Sequence, residues 1–154
     1  MTQYSQRDNR WKDIKLGFSN LTIGGYGCLI TSIGNAIDTT PDVVNTQLKK
    51  VNGFAPADPV NQPKIKTLVD WTKINLAFPH LKFVWRSKVY DNKAVLSQIK
   101  RNGFCVVEVR TWNLQKHWVL FIGNQKMIDP WYGAIRSTSS YPACIGFAAI
   151  DKIA

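Results

Sequence analysis

The spacing of apolar residues changes along this sequence, and that change constrains the fold more than any other feature. In the first half, apolar side chains mostly recur every three or four positions, which places them on one face of a helix. In the second half they form short runs rich in β-branched and aromatic residues, which are typical of strands. Helices followed by an antiparallel sheet predict an α+β fold, with the helical and strand layers packed on each other.

Start and stop signals divide the helical part into four predicted helices. N-cap residues, a proline in a first turn and glycines just past the ends indicate their boundaries. The predicted helices are residues 28–37, residues 40–53 with Thr40 as N-cap and Pro41 at the first position, a helix from about Pro63 with Ile65, Leu68 and Val69 facing inward, and a helix from its cap Asp91 to Gly103.

The strand pattern predicts five segments, and GNQ at 123–125 is a plausible hairpin turn between two of them. No linker or internal repeat divides the chain, and its length suits one hydrophobic core. We therefore expect residues 1–154 to form a single domain. The predicted strands are residues 81–86, 104–110, 117–123, 126–129 and 146–153.

Composition and charge limit the class of protein and its partners. Apolar residues make up 45% and charged residues 19%, as in globular proteins, and no stretch suits a membrane span or a signal peptide. We expect synthesis in the cytoplasm. The net charge is +10, and residues 64–101 contain nine basic and two acidic side chains. This excess favours a polyanionic partner such as nucleic acid, a membrane surface or a cell-wall polymer, although it also serves solubility.

Cys28 is the cysteine with the most informative surroundings. The three cysteines form neither a CxxC pair nor an even set, which argues against a disulfide framework or a zinc knuckle. Cys28 follows GGYG and begins a predicted helix, whose N-terminus favours a thiolate. Gly25 and Gly27 tolerate backbone conformations closed to other residues, so the segment can turn sharply and give a substrate close access. The alternative is a half-buried cysteine that merely begins an apolar helix.

Partners for a nucleophilic cysteine exist further along the chain. His117 opens a predicted strand, and Asp129 lies across the predicted hairpin from it. An acid there can accept from one imidazole nitrogen and leave the other to take a thiol proton. His80 is flanked by Pro79 and reads as a loop residue without chemical duty, while Asp129 has the alternative of a turn acid before a proline.

Residues beside these three are candidates for substrate binding. Tyr26 and Gly27 precede the cysteine, Trp118 follows the histidine, and Trp131 follows the aspartate. The aromatic residues could wall a groove or belong to the core.

Five motifs occur in a characteristic order: YSQRDNRW, GGYGC at a helix start, FCVVEV, HWVLFIG and IDPW. In these motifs, which are spread from Tyr4 to about Trp131, the sequence resembles the papain-like cysteine peptidases of the bacteriocin-processing-peptidase-like branch. The resemblance implies a papain-like fold in which the nucleophile begins a helix packed on an antiparallel sheet. It implies Cys28 as nucleophile, His117 as general base and later acid, Asp129 as the residue that orients the imidazole, and Gln6 as an oxyanion-hole donor beside the backbone N–H of Cys28.

The resemblance implies amide-bond cleavage with neither metal nor other cofactor. By analogy and by charge, the expected substrate is peptidoglycan, cleaved by an endopeptidase or amidase such as a bacteriophage endolysin or tail-associated lysin. Such a protein, expected to be a monomer without a specific nucleic-acid partner, acts on an anionic wall after release or as part of a virion.

Other functions are less well supported by the residues. A muramidase would use paired carboxylates, but Glu108 is the sole glutamate and is expected to pair with a cation. A zinc amidase is disfavoured because His80 and His117 lack metal-ligand spacing. A structural virion protein, or a non-catalytic basic module that binds wall or nucleic acid, stays open. The basic module would use the lysines and arginines of residues 64–101 together with Trp71, Phe83 and Trp85.

Overall fold

The computed structural model describes residues 2–153 and shows five α-helices and eight strands in that part of the chain. Two short 3₁₀ turns, Trp71–Lys73 and Thr138–Ser140, complete the regular elements. The helices are α1 (Ile23–Tyr26), α2 (Cys28–Ile37), α3 (Pro41–Lys50), α4 (Ile74–Ala77) and α5 (Asn92–Lys100). The strands are β1 (Phe54–Pro56), β2 (Lys66–Val69), β3 (Leu81–Ser87), β4 (Gly103–Arg110), β5 (Lys116–Gly123), β6 (Lys126–Asp129), β7 (Ala134–Ser137) and β8 (Ala143–Lys152).

Six of these strands form one antiparallel sheet in the order β3-β8-β4-β5-β6-β7. Strand β8 pairs with β3 on one side and with β4 on the other, so the last strand lies inside the sheet. Strands β1 and β2 form a separate antiparallel pair. This arrangement of helices and antiparallel sheets is an α+β fold, as the sequence predicts.

Helices cover both faces of the large sheet. On one face, α2 packs against the central strands, and α3 packs on α2; alternate strand residues, including Val106 and Leu120, belong to this larger hydrophobic core. On the other face, Val95 of α5 packs with the intervening residues Val107 and Val119. The layers therefore number three, whereas the sequence pattern predicts one helical layer on one sheet.

Most predicted elements are confirmed. Helix α2 has the predicted bounds, α3 begins at Pro41 after Thr40, and the Asp91 side chain accepts a hydrogen bond from the Ala94 N–H at the start of α5. The predicted hairpin turn is also present, with Asn124 and Gln125 both at positive φ.

The helix predicted from Pro63 is wrong. Residues 66–69 instead form β2, which pairs with β1 through Val69 opposite Phe54. Leu68 is 52% and Ile65 44% exposed, and only Val69 of the three expected inward residues is buried.

Within residues 2–153, no helix has the length and apolar character that a membrane crossing requires.

Candidate active site

Cys28 is the first residue of α2, directly after the helical turn α1. The cap residue Gly27 supplies no side-chain hydrogen bond, so no side chain competes for the N–H groups of the first turn of α2. The positive end of the helix dipole therefore lies beside the thiol.

The glycines before Cys28 serve close packing rather than an unusual backbone. Neither Gly25 nor Gly27 has a positive φ, so the conformations that glycine alone tolerates are not used at these two positions. A Cβ on Gly27 would lie 2.6 Å from the Ile23 carbonyl oxygen, and one on Gly24 would lie 2.9 Å from that of Lys12. Gly25 has more room and faces the cavity described below. Gly24 and Gly27 thus allow the turn that brings α1 onto the start of α2.

The sheet supplies the two partners of the thiol. His117 lies near the start of β5 and is 9% exposed, and Asp129 ends β6 and is fully buried. The imidazole Nε2 lies 2.9 Å from Asp129 Oδ1, and the ring lines the same cavity as Cys28. With Nε2 used by the carboxylate, Nδ1 is the ring nitrogen left for the thiol.

Asp129 is held by donors on both carboxylate oxygens. Oδ1 also accepts the Trp131 backbone N–H at 3.0 Å, and Oδ2 accepts the Arg136 guanidinium at 3.0 Å and the Tyr141 hydroxyl. Burial opposes ionisation, but the hydrogen bonds from His117 and Tyr141 and the charge of His117 keep the pKa of Asp129 below its ordinary value. The carboxylate is therefore ionised and fixed in place at neutral pH.

Contacts with Cys28 and Asp129 favour the protonated form of His117. Burial of the ring alone would lower its pKa, yet hydrogen bonds to Asp129 and Cys28, together with their charges, raise the pKa of His117 to about 9. At neutral pH the imidazole is therefore protonated and is oriented by a carboxylate.

Gln6 reaches the same place from the N-terminal segment. Its Nε2 donates to the Gly24 carbonyl at 3.1 Å, and its backbone N–H donates to the Pro130 carbonyl at 2.7 Å. The preceding Tyr4 is tied to α2, because its N–H donates to the Asn35 side chain at 2.6 Å. Gln6 is 1% exposed, and one N–H of its amide remains for another acceptor.

A cavity of about 630 Å³ opens beside these residues. Gln6, Cys28 and His117 line it, as do Tyr26 and Trp131 among the predicted substrate-binding residues. Two predicted members, Gly27 and Trp118, are not among the lining residues. Trp118 packs instead against the larger core on the α2 side of the sheet, with its ring centroid 5.8 Å from that of Trp71. The remaining lining residues are Gly25, Thr111, Asn113, Gln115, Lys116, Tyr132 and Tyr141.

The other thiols are placed unlike Cys28. Cys105 is fully buried in β4, where burial raises its pKa to about 12, and Cys144 is half-buried, with a pKa that burial also raises. Both thiols are therefore poor nucleophiles at neutral pH.

Glu108 and His80, the residues considered for a muramidase and a zinc amidase, have surroundings unlike those of the candidate site. Glu108 forms the predicted ion pair, with Arg86 at 2.9 Å, and His80 is exposed. Within residues 2–153, no group of three or more His, Cys, Asp or Glu side chains is arranged to hold a metal ion.

Arg136 and Tyr141 belong to the site but were not predicted from the sequence. Arg136 comes from β7, which pairs with β6 through Met127 opposite Arg136. The Tyr141 ring centroid lies 5.6 Å from that of His117. The one sequence signal that could have indicated Arg136 is its basic character, two positions inside a short strand that follows the IDP motif.

Comparison of the chain with family models, curated proteins and solved structures found no match.

Proposed function

We propose that the protein is a cysteine peptidase of the papain-like kind, which cleaves amide bonds with Cys28, His117 and Asp129. The observation that carries this proposal is the buried Asp129 carboxylate bonded to the His117 imidazole, with His117 and the Cys28 thiol side by side in the lining of one open cavity. A structural role for a half-buried cysteine requires neither the histidine nor the cavity.

In the proposed reaction, the Cys28 thiolate attacks the carbonyl carbon of the scissile amide. The negative charge that develops on the carbonyl oxygen is stabilised by the Cys28 backbone N–H and the free amide N–H of Gln6. Protonated His117 then gives its proton to the leaving amine as the C–N bond breaks. Water, activated by the now neutral His117, hydrolyses the thioester and restores the thiol.

The proposed substrate is peptidoglycan, which an endopeptidase or amidase of bacteriophage origin would cleave. The net charge of +10 supports retention on an anionic wall polymer. In this proposal the chain acts on the wall after release from the cytoplasm or as part of a virion.

The alternative of a basic binding module has weaker support. Most of the aromatic rings on which bases would stack contact other parts of the protein. Trp71 stacks on Phe83 with ring centroids 5.6 Å apart, and both rings pack on the larger core. Trp85, which is 49% exposed, packs edge-on against Phe147. The aromatic residues of residues 64–101 therefore do not form one exposed surface for bases.

A gel containing purified bacterial wall tests the proposal. Wild type is expected to clear the gel, and Cys28→Ala and His117→Ala are each expected to lose at least about a hundredfold in activity, as for removal of a nucleophile or its base. Cys144→Ala is the matched control and should retain activity. Mass spectrometry of the products should find newly freed amines rather than new reducing sugar ends.

Absence of clearing by wild type would contradict peptidoglycan as the substrate. Equal clearing by Cys28→Ala would contradict thiol catalysis itself.

A further inference from the structure

The wall of the candidate cavity carries positive charge that no neighbouring acid balances. Among the described residues that line the cavity, Lys116 is the one lysine or arginine, and neither aspartate nor glutamate is present. The salt bridges of residues 2–153 do not include Lys116, so no carboxylate in that part of the chain lies within 4.0 Å of its ammonium group.

The nearest acid of the site does not cancel this charge. Asp129 is fully buried, and its two oxygens are occupied by His117, Arg136, Tyr141 and a backbone N–H. Its negative charge is offset by the protonated imidazole and by the guanidinium. An anion in the cavity therefore meets the Lys116 ammonium without a competing exposed carboxylate.

The β4–β5 loop fixes the position of Lys116. The Thr111 N–H donates to the Gln115 carbonyl at 2.8 Å, and the Leu114 N–H donates to the Thr111 carbonyl at 3.0 Å. The Trp112 indole donates to the Ser140 carbonyl at 3.0 Å, which fastens the loop to the neighbouring segment. Lys116 follows this loop directly and pairs with Arg110 across the β4–β5 ladder. Its backbone is therefore held in place before a ligand arrives, which reduces the entropy lost on binding.

We propose that Lys116 determines specificity by binding a free carboxylate that lies next to the scissile amide of the substrate. The preferred substrate class is then a peptide with an acidic side chain or a free α-carboxylate on the side of the cavity formed by the β4–β5 loop. This inference rests on the proposed peptidase function, but the charge that carries it can be measured without turnover.

Two alkylating reagents of nearly equal size separate the effect of charge in the cavity from the intrinsic reactivity of the Cys28 thiol. Iodoacetate carries a carboxylate and iodoacetamide carries the neutral amide in its place, and both alkylate thiolates. The rate of Cys28 alkylation by each is measured by mass spectrometry, and the ratio of the two rates is divided by the same ratio for free cysteine. His117→Ala is not used, because the imidazolium itself attracts anions.

We expect Lys116→Gln to lower this normalised ratio about fivefold at low salt, the size that a partly exposed ion pair supports. Lys116→Arg should preserve the ratio, and 0.5 M NaCl should remove most of the difference between wild type and Lys116→Gln. Lys126→Gln is the matched control, because Lys126 is an exposed lysine of β6 that does not line this cavity. An unchanged ratio in Lys116→Gln, or an equal decrease in Lys126→Gln, would overturn the proposal.

The substrate itself gives a second measurement. Carbodiimide coupling with ammonia converts the free carboxylates of purified wall peptides to amides. We expect this treatment to slow hydrolysis by wild type several times more than hydrolysis by Lys116→Gln. If Cys28-dependent hydrolysis is equally fast on the untreated and the amidated wall, the carboxylate preference is wrong and the peptidase proposal stands. If Cys28→Ala hydrolyses the wall as fast as wild type, the peptidase proposal is wrong.

Discussion

The proton on His117 connects the contacts of single residues with a measurable pH dependence. Burial alone would lower its pKa, whereas Asp129 and Cys28 raise that pKa from 6.5 to about 9. Because the imidazolium must protonate the leaving amine, we expect hydrolysis to decrease as the pH rises through about 9. This decrease is the alkaline limb of the pH profile, and it is measured as the rate of clearing of a suspension of purified wall between pH 6 and 10.

Asp129→Asn tests the cause of that limb. The amide can still accept a hydrogen bond from Nε2, but it carries no charge to favour the imidazolium, so the limb should move to lower pH. Asp151→Asn is the matched control, since it removes the same unit of charge from a carboxylate that contacts Arg101 and Gln98 away from the site. A limb at the same pH in Asp129→Asn and wild type would show that Asp129 does not set the protonation of His117.

Site residues differ in how far sequence alone could predict them. Cys28, His117 and Asp129 stand at the ends of elements with clear periodicity, so their meeting could be expected from the hairpin and the helix start. Arg136 and Tyr141 reach Asp129 from a four-residue edge strand and from the segment before β8. Nothing in the spacing of such short segments indicates their register, so these two contacts required the structure.

At the scale of elements, the glycine turn between α1 and α2 yields a matched pair of substitutions. In Gly27→Ala, the added Cβ meets the Ile23 backbone oxygen at 2.6 Å, and neither backbone can move without displacing the start of α2. We expect a loss of about 2 kcal/mol in the free energy of unfolding, as for an overpacked core. In Gly25→Ala the nearest atom is Thr22 Oγ1 at 3.4 Å, and alanine favours the helical turn, so stability should be unchanged or slightly higher.

Urea unfolding followed by tryptophan fluorescence measures both variants under the same conditions. Because Gly25 lines the cavity, stability rather than hydrolysis is the quantity to compare. Equal stability of the two variants would mean that the close approach at Gly27 is relieved by a small local shift.

The helix predictions succeeded where the apolar face repeats several times and failed where it does not. Ten residues of α2 and nine of α5 repeat their apolar face more than twice, and both helices have the expected start. Residues 66–69 are too few to distinguish the two periods, and their pairing with residues 54–56, which the sequence does not show, makes them a strand. The single helical layer was predicted wrongly for a related reason: periodicity shows that α5 buries a face but not which side of the sheet receives it.

For the whole molecule, the excess of positive charge predicts salt-sensitive binding to an anionic wall. With the inactive variant Cys28→Ala, which prevents turnover, the net charge of +10 should make the affinity for purified wall at least tenfold weaker at 0.5 M than at 0.05 M NaCl. A sedimentation assay of bound and free protein measures this affinity.

Wall stripped of its phosphate polymers is the control and should bind the protein more weakly at low salt. Affinity that does not depend on salt, or equal affinity for the stripped wall, would contradict charge as the cause of retention.

The position of β8 between β3 and β4 affects how the molecule can assemble. Strands β3 and β4 are separated along the chain by α5 alone, yet they never pair with each other, because residues 143–152 must lie between them. Until that segment arrives, two apolar strands present unpaired edges that can associate with other chains. Folding therefore depends on contacts between distant parts of the sequence, which slows it, and the centre of the sheet is completed only after β8 has left the ribosome.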